Sequence, residues 1–359
     1  MQKAYGTWVY NMSMTIFSRM YQYYRKYTYK IWVGVFVLIA SVEVASHLLF
    51  GNFAQSALVQ RHEDPELCMV VGANKRLEYT GWYRKMPPTI MESNAFGSRE
   101  NRDNFGNKIN KKQVFIEKKL KVFMLGDSFT YGQGVQESDS LPHKVDGYLQ
   151  ENFTNEVSFD IWNFGVPGRN FYQIPADIER LLLWKPNLIL VNMFTNDYHE
   201  APGTCMLSSM TDVLLPVMRV CHICRWGLIA LRPDIQTLSP SEMEQNIQQT
   251  IRTIEGIAHQ NDVEVYFVLL SESHSIAAHQ PPLPNIHKIV ADATTHVIDL
   301  SSTWDYVLRN SDTLEIPGEF HLNPRGNDIV AQAYATSLYR SYIRDHQAQN
   351  HKEREQKQE

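Results

Sequence analysis

The chain has no glycine-rich phosphate-binding motif and no internal repeat, which sets aside the P-loop nucleotide enzymes and the stacked-repeat folds. Basic charge is scarce beyond residue 50. Residues 1–50 hold Lys3, Arg19, Arg25, Lys26 and Lys30 against Glu43 alone, which leaves 29 of the 34 basic and 38 of the 39 acidic side chains for the remainder. An acidic remainder argues against a nucleic-acid partner. With 43% hydrophobic and 20% charged residues over 359 positions, the composition is that of a globular chain of one or two domains.

Cysteine is rare as well: Cys68, Cys205, Cys221 and Cys224. In an oxidising compartment a disulfide between two of the last three is expected. The stretch "CHIC" is an alternative redox pair, but no thioredoxin-like strand and helix flank it. With Cys205 and His222 it is also an alternative zinc site. His143, His274, His279 and His296 have no spacing that argues for ligation.

One long apolar run is present, "IWVGVFVLIASVEVASHLLF", residues 31–50. Twenty residues at about 1.5 Å each span roughly the 30 Å core of a bilayer. The run predicts one transmembrane helix, and the thirty residues before it favour an uncleaved signal anchor over a secretory signal peptide. The basic N-terminal segment, residues 1–30, is then cytoplasmic and everything after residue 50 extracytoplasmic, or periplasmic. Tyr21, Tyr23, Tyr24, Tyr27, Tyr29 and Trp32 form an aromatic belt at the inner interface. Glu43 and His47, one turn apart, are read as lying near the outer headgroups.

Residues 51–119 are rich in turn formers and are read as a linker and covering segment. From residue 120 to 345 apolar runs alternate with amphipathic stretches. The runs are 121–125, 159–164, 187–194, 263–271 and 296–301, and their near-continuous apolar character is that of strands covered on both faces. Among the helices, one carries Met243, Ile247, Ile251, Ile254 and Ala258 as a stripe, with Ser239 or Ser241 as its cap. Another carries Val330, Tyr334, Leu338 and Tyr342 at four-residue intervals. The alternation predicts a three-layer α/β/α sandwich around a parallel sheet. Residues 198–238 break it and are read as an insertion over the rim. Residues 346–359, with no apolar residue after Ala348, are expected to be a disordered tail.

In open parallel sheets ligands sit beyond the carboxyl ends of the strands. The first three strands end there in "GDSFTYG", "GVPGRN" and "TND", and "HLNPRGN" comes just before the last helix. These blocks bring a serine, Ser128, a glycine, Gly168, an asparagine, Asn196, and a histidine, His321. A serine hydroxyl needs a base before it can attack, histidine has the pKa for that task, and an oxyanion needs preorganised donors. Taken singly, each block has a structural reading: Asp127 as a cap, Gly168 as a turn glycine, Asn196 as a strand-end cap.

In their common order the four blocks resemble the SGNH, or GDSL, hydrolase family over about residues 121–340. The resemblance implies a flavodoxin-like α/β/α fold, Ser128 as nucleophile, His321 as base, and Ser128, Gly168 and Asn196 as oxyanion donors. It needs no metal or cofactor. Two departures stand out. Phe194 and Thr195 occupy the place where the family has glycine, which narrows the acyl pocket, and Phe171 and Tyr172 are further candidates for its lining. Gly318 stands where the family's acid is found, so the third member of the triad is assigned to Glu319, two residues before His321 and on the same side of an extended backbone.

The expectation is a membrane-anchored, extracytoplasmic serine esterase that acts on an O-acetyl or other short acyl group of an envelope or exported glycan. Its alternatives are a glycan O-acyltransferase and a catalytically silent glycan-binding or scaffold protein of the same fold.

Overall fold

A computed structural model describes residues 28, 30, 32–42, 59–61, 69–79, 89–99, 119–153, 158–194, 238–270, 285–317 and 321–356. The chain divides into two compact units, Met1–Phe50 with Pro216–Leu231, and Gly51–Leu215 with Arg232–Glu359. In the first, residues 32–42 are helical and present exposed Trp32, Phe36 and Leu38. No helix among the described residues is long and apolar enough to cross a membrane. The expected span is described only in part, since residues 31 and 43–50 lie outside the described set.

The second unit is built on five strands, β5 (Lys119–Gly126), β6 (Ser158–Gly165), β7 (Leu188–Met193), β8 (Glu264–Leu269) and β9 (Val297–Asp299). All pair in parallel, in the order β6-β5-β7-β8-β9. Counting β5 as the first, this is the flavodoxin-like order 2-1-3-4-5, whose direction of winding reverses between β5 and β7. Successive residues point to opposite faces. Val122, Met124, Ile161 and Leu190 therefore belong to one core, and Phe123, Leu125, Phe164 and Val191 to the other.

Helices α2 (Leu141–Asn152), α6 (Ser301–Arg309) and α8 (Pro324–Gln356) cover the first face, and α3 (Ile174–Leu181), α4 (Pro240–Gln260) and α5 (Ile286–Ala293) the second. Between β5 and α2 lies the single turn α1 (Ser128–Tyr131), and α7 (Ser311–Leu314) precedes the histidine loop. The expected parallel-sheet sandwich is present. In α4 the stripe of Met243, Ile247, Ile251, Ile254 and Ala258 is buried, and Ser239 caps it in a reciprocal box with Glu242.

Two departures concern the flanks. The covering segment holds antiparallel pairs, β1 (Val59–Arg61) with β2 (Met69–Val71) and β3 (Arg76–Tyr79) with β4 (Thr89–Glu92). Strands of three or four residues are too short to show a two-residue period. The expected disordered tail is instead helical to Gln356. Packed turns from 324 to 342 supply the nucleus that an isolated helix lacks, and Gln347, Ala348 and Glu353 are helix formers. His346 also lies 3.0 Å from Glu264 at the start of β8. The insertion, apart from Leu238, and all four cysteines lie outside the described residues.

Candidate active site

Strand β5 delivers Ser128 to the carboxyl edge of the sheet beside the winding reversal. Asp127 caps the turn that follows, its Oδ1 accepting from Phe129 N at 2.9 Å. The Ser128 carbonyl accepts from Gly132 N and Gln133 N, both at 3.0 Å. Gly165, at the end of β6, allows this turn to lie against the sheet: a Cβ there would collide with Tyr131 N and the Thr130 carbonyl carbon. From below, Asn192 Nδ2 of β7 donates to Thr130 Oγ1 at 2.9 Å and Tyr334 Oη of α8 donates to Asn192 Oδ1 at 2.8 Å. Of these three buried residues the sequence marked Tyr334 only as part of an apolar stripe, and gave Thr130 and Asn192 no role. The polar Asn192 inside "NLILVNMF" was the available signal.

His321 arrives 193 positions later on a tight loop. Ile316 N donates to the His321 carbonyl at 2.8 Å, and Asn323 N to the Leu314 carbonyl at 2.9 Å. Asn323 then caps α8, its Oδ1 accepting from Arg325 N and Gly326 N, both at 3.0 Å. The loop brings His321 Nε2 to 2.9 Å from Ser128 Oγ. Both residues are buried, 3% and 7% exposed respectively. With the ring proton on Nδ1, the hydroxyl donates to Nε2, which is the contact that removal of a serine proton requires. The imidazole lies 5.0 Å from the Phe129 ring, and Phe129 packs on Phe194 at 4.0 Å and on Trp304 at 5.4 Å between centroids. Half-buried Glu315 also feels the imidazole: burial pushes its carboxyl up while the His321 charge pulls it down.

Gly168 sits in the turn 166–169, closed by Arg169 N donating to the Val166 carbonyl at 2.9 Å. Pro167 in second place and Gly168 in third, with φ of 79°, match a type II turn, whose third residue must adopt positive φ. The next side chain, Arg169, is buried on Asp177, with Nε 2.8 Å from Oδ2 and Nη2 donating to Oδ1 at 3.3 Å. Asn196 and Glu319 lie outside the described residues. Phe194 belongs to the core on the first face of the sheet and Phe171 to the core on the second, each 1% exposed. Among the described residues no group of three or more His, Cys, Asp or Glu is placed to hold a metal.

Tyr131, at the end of the serine turn, is fully buried, and its hydroxyl has no partner among the described residues. Burial pushes its pKa up to about 12, with Arg99 pulling weakly the other way. An unfolded tyrosine titrates near 10. Below pH 10 both states hold the proton and the contribution is complete. Between about pH 10 and 12 the unfolded chain loses it first, so stability falls, by about 3 kcal/mol. Tyr131→Phe is expected to make the alkaline loss shallower by that amount, read as the denaturant midpoint from pH 9 to 12. Parallel curves for the two proteins would refute it.

Residues 124–329 match the model of the GDSL-like lipase/acylhydrolase family. No curated protein sequence matches the chain, whereas 58 chains of solved structures do. One is an acetyl xylan esterase, 17% identical, aligned over 61% of this chain and 100% of its own with a TM-score of 0.39. Another is a psychrotrophic esterase from Pseudoalteromonas sp., 12% identical over 61% and 97%, TM-score 0.41. A third is a two-domain esterase active on acetylated mannans, 15% identical over 62% and 50%, TM-score 0.41. Because the family model spans more than half of the sequence, from the strand before Ser128 to the helix after His321, the chain belongs to the GDSL-like lipase/acylhydrolase family.

Proposed function

We propose that the protein is a serine esterase working through a seryl-acyl intermediate. The observation that carries this reading is the buried 2.9 Å contact between Ser128 Oγ and His321 Nε2. Ser128 Oγ attacks the ester carbonyl carbon as its proton passes to Nε2. The negative charge that develops on the carbonyl oxygen is met by the N–H groups of Ser128 and Gly168 and by the side-chain amide of Asn196. His321 returns the proton to the departing alcohol, then takes one from the water that releases the acid. Glu319 holds the imidazole.

The acyl group is short, an acetyl for preference. In support, Phe129, Phe194 and Trp304 are packed ring on ring, with Phe129 beside the imidazole, each no more than 4% exposed, a bulky wall that favours a small acyl group. The alcohol is a hydroxyl of an envelope or exported glycan, a choice that follows from placing the domain outside a membrane to which residues 31–50 anchor it. The exposed apolar side chains of 32–42 are in keeping with such an anchor. Full-length protein is then expected to stay with membranes through a carbonate wash, and its release into the wash would remove the anchor from the reading.

The mechanism is tested by treating the protein with a fluorophosphonate and mapping the adduct. The expected outcome is one tag, on Ser128, with parallel loss of p-nitrophenyl acetate hydrolysis. A tag on another residue, or none on folded protein, sinks the proposal.

A further inference from the structure

The loop that follows Ser128 is held from outside the sheet. Arg99, in the covering segment, is 2% exposed. Its Nη1 donates to the Tyr131 carbonyl at 2.7 Å and to the Gly132 carbonyl, and its Nη2 donates to the Val135 carbonyl. The guanidinium also lies 4.7 Å from the centroid of the Tyr131 ring. Arg99 N donates to the Asn163 carbonyl of β6 at 3.1 Å, and Asn163 Nδ2 to the Tyr131 carbonyl at 3.3 Å. From β4, Thr89 Oγ1 reaches the Gly134 carbonyl at 3.2 Å. Two residues before the sheet thus hold four carbonyls of this loop, those of residues 131, 132, 134 and 135.

The connection to Ser128 runs through single peptide groups. The Tyr131 carbonyl and the Gly132 N–H are one planar unit, as are the Gly132 carbonyl and the Gln133 N–H. Arg99 grips the oxygen end of each unit, and the nitrogen end of each donates to the Ser128 carbonyl. A cation at one end of a peptide dipole polarises the hydrogen bond made at the other. Burying a guanidinium costs several kcal/mol; the hydrogen bonds of its Nη atoms go to carbonyl oxygens, and the Glu137 carboxylate adds only a charge interaction. An apolar side chain would fill the same space without that cost, but it would leave the Tyr131 and Gly132 carbonyls with only the longer bonds from Asn163 Nδ2 at 3.3 Å and Val135 N at 3.4 Å, and so hold the two peptide planes less firmly.

We propose that Arg99, assisted by Thr89, is a positioning residue that sets the orientation of Ser128 through the 131–132 and 132–133 peptide groups. The covering segment is then a part of the reaction machinery rather than a passive lid. The inference rests on Ser128 being the nucleophile.

The experiment measures the rate of fluorophosphonate labelling per titratable Ser128, the kcat and KM for p-nitrophenyl acetate, and the melting temperature. It compares wild type with Arg99→Ala, Arg99→Lys and Thr89→Val in the full chain. Arg99→Ala is expected to slow labelling of the folded fraction about 10- to 100-fold, the scale of a catalytic group displaced by about 1 Å. KM is expected to change less than about twofold, a split that follows when only the transition state is affected. Methylguanidinium should restore part of the rate. Arg99→Lys keeps the charge but not the fork and should fall between. A lowered melting temperature with wild-type labelling rate per folded molecule in every variant would overturn the inference. Should Arg99→Ala not fold, the other two variants decide by the same per-site rate. Failure of wild-type protein to label at Ser128 would instead bring down the esterase reading, and this inference with it.

Discussion

Ser128→Ala is expected to lower kcat/KM toward p-nitrophenyl acetate by about 10⁴- to 10⁶-fold, with the fold and melting temperature close to wild type. The physical reason is that, in the proposed mechanism, Ser128 Oγ forms the covalent bond, and it is the atom His321 Nε2 faces at 2.9 Å. His321→Ala is expected to cost nearly as much, because an unactivated hydroxyl is a poor nucleophile. The double replacement is therefore expected to be no slower than either single one. Two groups that act in one proton transfer lose their whole joint effect when either is removed. Losses that multiply in the double variant would show that the two side chains act separately, and the 2.9 Å contact would then have no part in the reaction. Residual activity comparable to wild type in Ser128→Ala would place the chemistry on another residue.

The second large effect is on stability. Asp177→Ala is expected to destabilise the protein by about 3–5 kcal/mol, the cost of leaving a buried charge without its partner. Side chains of Arg169 and Asp177 are 1% and 3% exposed. Burial disfavours the charged guanidinium and Asp177 offsets that. The bond from Arg169 Nη1 to Gln173 Oε1 at 3.3 Å is to a neutral amide and does not replace the carboxylate, and the Arg180 contact to Asp177 at 3.6 Å is lost with it. The matching double variant, Arg169→Met with Asp177→Leu, removes both charges and is expected to cost much less than Asp177→Ala. Denaturant midpoints of the three proteins check this. A single replacement as mild as the double would mean that the pair is solvated. Because Arg169 directly follows Gly168, the single variant is also expected to lose activity faster than it loses structure as temperature rises.

Elements that bury themselves were legible in the sequence. Each of the five runs expected as strands overlaps one, and the stripe ending at Ala258 lies on a helix that begins and caps where Ser239 places it. Burial leaves an apolar trace along the chain, and a trace of about five residues or more can be read locally. Where that trace is short or missing, the reading departed from the structure: the strands Val59–Arg61 and Thr89–Glu92 passed as linker, and the polar helix beyond residue 345 passed as disorder. The helix there needs no apolar face, only continuation from turns that are already packed.

At the site, Ser128, Gly168 and His321 carried a signal because residue type and position after a strand announce their chemistry. For Arg99, Asn192, Tyr334 and Asp177 the sequence showed at most a polar residue inside an apolar run or a member of an apolar stripe, since the role of a buried polar residue is set by its partner. Those partners lie 32, 62, 142 and 8 positions away. Local sequence therefore determined the strands and the reactive residue types, both of which depend on neighbours along the chain. The tertiary structure alone decided that Ser128 and His321 meet and that an arginine from the covering segment holds the loop between them, because hydrogen bonds between distant segments exist only after the sheet has brought those segments to one edge.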